Sequence, residues 1–269
     1  AAGLLGSTIG GASVKPVVSF KTGGDDGGST NGGAAAKPIE GAGTFSGTIR
    51  LTGTFSPPKP IFEKGTAKKD STVCAAETAI LEQSLLVGPT KGIANVFVYL
   101  NKVPPGAKVP PPPAEPAVFD QKGCVFIPHA LIIRANQQVL VKSGDAVAHN
   151  THTYPRRNGG FNQAIKSNER DGVPLLYTKR ENEPFSVKCD MHNWMRAYHL
   201  AIDHPWGTTT NDKGEFSLTD VPATELEFRV WHEKAGGGGG FLQRSLKIKI
   251  EPGQTVTRDL EFDLSAFGL

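Results

Sequence analysis

The sequence has no long apolar run and little net charge. No segment approaches the roughly 20 apolar residues of a membrane-spanning helix, so we expect no span. The formal charge is +3, and basic residues occur only in short groups such as Lys68-Lys69 and Arg156-Arg157. This distribution argues against a surface for nucleic acid or anionic lipid. No catalytic motif such as GxSxG or HExxH occurs in a convincing strand-helix context, and we expect no enzymatic activity.

Sulfur residues are scarce and clustered. The chain has 3 cysteines and 2 methionines among 269 residues. Both methionines, one cysteine and two histidines fall within FSVKCDMHNWMRAYH, residues 185–199. Cys189, His192 and Met195 stand three residues apart. The cluster indicates a soft-metal site, and the alternative is a structural cysteine with chance neighbours.

The odd number of cysteines bears on the compartment. If Cys189 is a metal ligand, Cys74 and Cys124 remain as a candidate disulfide pair, which would suit an exported protein. The alternative is that both are small buried apolar residues. The start at Ala1-Ala2-Gly3 is typical of a mature terminus after signal-peptide removal, and a trimmed sequence would look the same. We expect export to the periplasm, the cell envelope or the extracellular space.

The chain divides by composition. Residues 1–40 are rich in Gly, Ala and Ser, which predicts a flexible leader, or one that a partner orders in an assembly. From Gly41 onward, short runs of β-branched and aromatic residues alternate with turn signals, and only one weak helical pattern occurs. These runs predict an all-β chain of two β-sandwiches, the second one smaller. In EPFSVKC the alternation places Phe185, Val187 and Cys189 on the buried side of a strand.

A second histidine motif precedes this strand by about 40 residues. The segment GDAVAHNTHTY carries His149 and His152 at an expected strand end. Two imidazoles, a thiolate and a weak thioether form the trigonal site of blue-copper electron-transfer proteins. Zinc is the rival metal, but it gains little from a thioether such as that of Met195. His152 is better explained as a surface group or a group beside the ligands.

Together, AHNTH and CDMHNWM resemble the cupredoxin family of type 1 blue-copper proteins, among them the amicyanin- and plastocyanin-like members. The resemblance covers about residues 90–204 and implies a Greek-key sandwich with one type 1 copper. It implies His149, Cys189 and His192 as equatorial ligands and Met195 as the axial ligand. Asn150 would tie the two ligand loops together. Met191 and Asn193 replace the prolines that usually flank the second histidine, and Met191 is a minor alternative donor.

A wider resemblance links the chain to exported bacterial proteins labelled methylamine-utilisation or cupredoxin-like, whose tails resemble carboxypeptidase regulatory-like β-sandwiches. It implies a copper domain over residues 41–204 and a second sandwich over 205–269. The first strand, residues 43–55, could belong to either unit.

The function that we expect is an exported carrier of single electrons. His192 would lie near the surface, with Met191 and Trp194 contacting a redox partner such as a c-type cytochrome or an envelope electron-transfer complex. The alternatives are a structural or adaptor subunit of an envelope assembly and a periplasmic copper-binding protein. The remaining histidines have structural explanations: His129 at a core edge, and His199, His204 and His232 in packing between domains.

Overall fold

The computed structural model describes residues 36–269, and these form one compact unit. The predicted leader lies outside the described residues as far as residue 35. The predicted all-β fold is confirmed, because the described residues form β-sheets and two short 3-10 helices, Ala235–Gly237 and Leu264–Phe267. No helix in this range is long and apolar enough to cross a membrane.

The strands described between residues 36 and 269 are numbered in chain order. They are β1 (Ala42–Leu51), β2 (Phe97–Leu100), β3 (Ala117–Lys122), β4 (Val125–Ile127), β5 (Ala130–Arg134), β6 (Gln138–Val141), β7 (His149–Thr153), β8 (Asn162–Ile165), β9 (Val173–Leu176), β10 (Phe185–Lys188), β11 (Arg196–Ile202), β12 (Gly207–Thr209), β13 (Glu215–Pro222), β14 (Glu225–His232), β15 (Gly240–Lys249), β16 (Thr255–Thr257) and β17 (Leu260–Phe262).

Two sheets share one core, and we call them the inner sandwich. Their strands, β3 to β11, lie in the sequence between β2 and β12, which belong to the second sandwich. One sheet has the order β5-β11-β10-β7-β8, and the other has the order β4-β3-β6-β9. Phe119 and Val141 from the second sheet pack in the same buried cluster as Val187 and Ala197 from the first. The alternation predicted for β10 explains this packing, because Phe185 and Val187 are buried while Ser186 and Lys188 are only partly buried.

The remaining two sheets form the outer sandwich. Strand β1 lies between β13 and β16 and also pairs with β17, while the facing sheet has the order β12-β2-β14-β15. Alternate residues of β1 are buried, and the Phe45 ring lies 4.7 Å from the Phe228 ring across the core. The first predicted strand thus pairs with C-terminal strands, which is one of the two alternatives that the sequence left open. Strand β2, expected in the unit of residues 41–204, also pairs here, with β12 and β14.

A covering segment, residues 60–80, packs on the inner sandwich with little regular structure. It is closed by a bridge between Phe62 and Ile80, and the predicted disulfide is present between its Cys74 and Cys124. The Phe62 ring packs edge-on against Trp194, with 4.9 Å between ring centroids. The covering segment is therefore fixed to the loop that follows β10.

Candidate metal centre

Cys189 is the first residue after β10, and its side chain is buried, as the strand alternation predicts. The chain then turns tightly: the amide of Met195 donates to the His192 carbonyl at 2.9 Å, and the amide of Cys189 donates to the Met195 carbonyl at 3.2 Å. Strand β11 begins at the next residue, Arg196. The turn brings His192 back toward the Cys189 sulfur.

His149 reaches the same point from the neighbouring strand. It begins β7, which pairs with β10 through Val187 opposite Thr153 and Lys188 opposite His152. One ligand atom each from His149, Cys189 and His192 lies within 4.8 Å of the other two. The structure thus brings together three of the four predicted ligands.

The two imidazoles face each other through their Nδ1 atoms. His149 Nδ1 lies 3.0 Å from His192 Nδ1, and Cys189 Sγ lies 3.8 Å from His192 Nδ1. Both rings are fully buried. Three nitrogen and sulfur atoms that suit a soft metal therefore point at one another away from solvent.

A carboxylate holds the far nitrogen of each ring. His149 Nε2 lies 2.8 Å from Asp145 Oδ2, and His192 Nε2 lies 2.8 Å from Asp70 Oδ2. Since an ionised carboxylate only accepts hydrogen bonds, each Nε2 carries the hydrogen, and a neutral ring then presents a lone pair at Nδ1. Two lone pairs facing each other at 3.0 Å repel, and a shared proton or a cation relieves the repulsion. The donor set therefore fits a metal ion bound through both Nδ1 atoms.

The protonation preferences of the metal-free site agree with this geometry. Burial by itself lowers the pKa of His149, but hydrogen bonds to Asp145 and the Cys189 sulfur outweigh it and raise the pKa to about 9. Burial raises the pKa of the Cys189 thiol, but hydrogen bonds from His149 and His192 bring it down to about 6. The site thus favours a thiolate beside a protonated imidazole, and a thiolate is the form that binds metals.

Asn150 links the two segments that carry the proposed ligands, as the resemblance implies. Its Oδ1 accepts from the amide of Asp190 at 2.6 Å and lies 3.4 Å from Cys189 Sγ. Its own amide points at the same sulfur at 3.5 Å, and its Nδ2 donates to Asp190 Oδ2 at 2.8 Å. The side chain therefore fixes the start of the Cys189 turn to strand β7.

The structure corrects the expected exposure of His192. Its side chain has no accessible surface, because Asp70 caps its Nε2 and the Trp194 ring packs 5.1 Å away. Trp194 is itself partly buried and donates through Nε1 to the Cys124 carbonyl at 3.1 Å. Of the two predicted contact residues, Met191 is exposed. The expectation fails because the covering segment occupies the space in front of the ring.

Met195 is buried in the same apolar cluster as Cys189. Its backbone closes the ligand turn through the hydrogen bonds described above. Its role as the axial ligand remains a prediction that these contacts do not test, and the same is true of Met191 as the alternative donor.

Sequence reasoning missed Asp70 and Asp145. Asp145 stands four residues before His149 and is buried, and it also accepts from the amides of Gly123 and Cys124 at 2.6 and 2.9 Å. These hydrogen bonds and the His149 bond hold its pKa below the ordinary value even though burial opposes this. Its position four residues before His149 in GDAVAHN is a signal that the sequence offers. Asp70 lies in the covering segment, where no local pattern points to the site.

The other histidines serve structural contacts. His129 pairs with Glu233 and with Gln83, and His152 lies partly exposed with its Nδ1 at 3.0 Å from Asp190 Oδ2. His199 differs from the expected packing between domains, because it lies inside the inner sandwich with Phe119 at 4.3 Å. His204 stacks on Trp206, and His232 packs edge-on against Phe267.

Comparison with known proteins gives similarity to cupredoxin structures. No family model matches the chain, and no curated protein matches it. Amicyanin from Paracoccus versutus aligns at 15% identity and a TM-score of 0.28, covering 34% of this chain and 84% of that one. A reduced amicyanin variant aligns at 18% identity and a TM-score of 0.29, and the alignment covers 35% of this chain and 97% of the amicyanin chain. A purple cupredoxin from Nitrosopumilus maritimus aligns at 15% identity and a TM-score of 0.27, and the alignment covers 32% of this chain and 99% of the cupredoxin chain.

Identities and TM-scores this low assign no role to any residue of this chain. These three alignments cover about a third of the chain and do not support the predicted carboxypeptidase regulatory-like tail, which remains an expectation.

Proposed function

We propose that the chain is a type 1 copper protein that carries single electrons and has no catalytic activity of its own. The observation that supports this most is the convergence of His149, His192 and Cys189, with each imidazole held by a carboxylate so that the two Nδ1 atoms face each other near the sulfur. When bound, copper would supply a one-electron redox couple. Thiolate and imidazole together suit both of its oxidation states.

The protein residues would act by holding this donor set in place. Asp145 and Asp70 fix both ring orientations, and Asn150 fixes the Cys189 turn. Ligands held from outside in this way have little freedom to rearrange, which favours rapid gain and loss of an electron. Met195, buried in the same apolar cluster as Cys189, would be the fourth donor. A fixed site of this kind supports electron transfer over catalysis at an open metal position.

Burial of the site supports a permanently held metal over a freely exchanged one. Both histidine rings are inaccessible, and the covering segment is fastened by the disulfide. A copper-buffering protein needs an exposed ligand where a chelator or acceptor can attack. The disulfide also supports our proposal of an oxidising, exported location.

Loading the purified protein with Cu(II) tests the proposal. We expect an intense visible thiolate-to-copper band that is lost in Cys189→Ser and in His192→Ala. His129→Ala is the matched control, since it removes a histidine whose contacts are with Gln83 and Glu233, and it should keep the band. A protein that binds no copper, or that binds it without the band, contradicts the proposal. The rate of copper loss to a chelator distinguishes an electron carrier, which should lose copper slowly, from a copper-buffering protein, which should lose it quickly.

A further inference from the structure

Two cations and a histidine stand in a row on the outward face of the inner sandwich. Lys188 of β10 lies directly opposite Arg196 of β11 on one side and directly opposite His152 of β7 on the other. The neighbours of Lys188 in the chain, Val187 and Cys189, are buried. Lys188 therefore points away from the core, and the row crosses three adjacent strands.

This arrangement costs stability. Like charges directly opposite each other on adjacent strands repel, whereas opposite charges in the same relationship attract. The outer sandwich follows the favourable rule, with Glu225 opposite Lys249 and Glu227 opposite Lys247. Within residues 36–269, neither Lys188 nor Arg196 forms an ion pair. A departure from local consistency of this kind is typical of a functional surface.

An exposed aromatic side chain extends the row. Tyr154 is 41% exposed, and its ring stacks on His152 with 4.3 Å between centroids. Lys188 Nζ lies 5.2 Å from the centroid of the same ring. We call these residues the cationic face: His152, Tyr154, Lys188 and Arg196.

The cationic face is directly connected to the Cys189 ligand. Lys188 precedes Cys189 in the chain, and Asp190, which follows it, lies 3.0 Å from His152 Nδ1 through its Oδ2. Asp190 also bonds to Asn150, whose Oδ1 lies 3.4 Å from Cys189 Sγ. His192 offers no comparable access, because its ring is buried and capped by Asp70. The cationic face thus has a short connection from a proposed ligand to solvent.

We propose that the cationic face docks an acidic surface of a redox protein. This inference rests on the proposed function, because it identifies the partner chemistry of the same site. The whole chain carries only +3, so the charge of this face is a local feature. The positive charges of Lys188 and Arg196 exceed the single carboxylate of Asp190, which contacts His152. A local excess of charge of one sign steers an oppositely charged partner and fixes its orientation. Tyr154 adds the amphipathic contact area that is enriched at interfaces.

The first test uses the metal-free protein and needs no copper. Hexacyanochromate(III), a redox-inert paramagnetic trianion, should broaden the backbone amide NMR signals of residues 152–154, 188 and 196. The variant K188Q/R196Q should abolish this broadening. K247Q/K249Q, which loses two positive charges from the outer sandwich, should keep it. Equal broadening over both sandwiches, or broadening unchanged in K188Q/R196Q, would overturn the inference.

The second test measures electron exchange of the copper-loaded protein. Reduced protein gives one electron to hexacyanoferrate(III), which becomes hexacyanoferrate(II). At low salt K188Q/R196Q should react about tenfold more slowly than the original protein, and high salt should remove the difference. The cationic oxidant tris(phenanthroline)cobalt(III) should show the reverse order, and K247Q/K249Q should match the original protein with both oxidants.

The outcomes separate the two proposals. A protein without the visible band contradicts the electron-carrier function, whereas the NMR test of the face still gives a result. If the protein has the visible band but its electron-exchange rates are the same in K188Q/R196Q, the docking face is contradicted and the electron-carrier function is not. Binding to phosphatidylserine vesicles that is lost in K188Q/R196Q would assign the face to a membrane surface and overturn the inference. A thermal midpoint equal to or above that of the original protein confirms that the variant is folded.

Discussion

The Asp70 carboxylate lies 2.8 Å from Nε2 of His192, a residue 122 positions further along the chain. This contact joins the covering segment to the proposed metal centre. Lys69 strengthens it by donating to the Met191 carbonyl at 2.7 Å. The covering segment therefore orients a proposed ligand and also closes the site to solvent.

Asp70→Leu should weaken copper binding without removing a ligand. The His192 ring would lose the acceptor that fixes its orientation, and loss of such outer contacts costs roughly 10- to 100-fold in metal affinity. Competition with a chelator of known affinity measures the change. Asp70→Asn keeps an oxygen acceptor and should recover most of the affinity.

Asp212→Asn, in an exposed turn of the outer sandwich, serves as the control for this prediction. It should bind copper as the original protein does. If Asp70→Leu also binds copper with unchanged affinity and exchange rate, the Asp70 contact does not support the site.

Breaking the disulfide should affect both stability and metal retention. Cys74 and Cys124 lie 50 residues apart, and closing such a loop contributes about 4 kcal/mol in the chain-entropy model. Both sulfur atoms also lie within 4.8 Å of a ring nitrogen of His192. The double variant Cys74→Ser/Cys124→Ser should unfold at lower denaturant concentration and release copper to a chelator faster.

Cys189→Ser separates these two effects, since it keeps the disulfide and removes a proposed ligand. We expect the metal-free Cys189→Ser protein to stay close to the original in denaturant unfolding. Faster copper loss without any loss of stability in the double serine variant would show that the disulfide acts on the covering segment alone.

Three buried histidines predict loss of stability in mild acid. Burial lowers the pKa of His199 and His232 to about 3 and that of His204 to about 4. In the unfolded chain each titrates near 6.5, so between these values the unfolded state binds more protons. The contribution of these three histidines to the free energy of unfolding should therefore be complete above pH 6.5 and fall below it, by roughly 1.4 kcal/mol per pH unit for each histidine.

Denaturant unfolding of the metal-free protein at pH 7, 6 and 5 measures this dependence. His232→Gln removes one titrating group, and its stability should fall less steeply with decreasing pH than that of the original protein. Identical pH slopes for the two proteins would show that His232 is not held neutral in the fold.

The candidate ligands could be predicted because their geometry is local. Three residues separate Cys189 from His192, and the alternation of β10 alone places the sulfur inward. His149 and Asn150 add a second short motif on the neighbouring strand. Asp70 had no such pattern, because its position depends on a disulfide and on packing against Trp194. The exposure of His192 was predicted wrongly for the same reason.

In the fold, too, local features could be predicted from the sequence and contacts between distant segments could not. The alternating pattern of residues 43–55 predicts a strand with one buried face, and the structure has that strand over Ala42–Leu51. The pattern says nothing about which strands pair with it, because pairing depends on contacts between distant segments. Strand β1 pairs with strands more than 160 residues away, such as Phe45 opposite Leu218 and Val256. The same holds for β2, whose apolar residues would suit either sandwich.

Asn150→Ala should loosen the Cys189 turn and destabilise the fold. The amides of Asp190 and Met191 would lose their shared acceptor, Asn150 Oδ1, at 2.6 and 3.4 Å. Leaving a partly buried donor without a partner costs about 1 to 3 kcal/mol. Denaturant unfolding should show this loss in the metal-free protein, and the copper-loaded protein should show a broadened or shifted visible band.

Asn162→Ala removes a single partner of Asn150, the oxygen that accepts from its Nδ2 at 2.9 Å. It should therefore have a smaller effect on both measurements, and equal effects of the two variants would show that Asn150 does not hold the Cys189 turn.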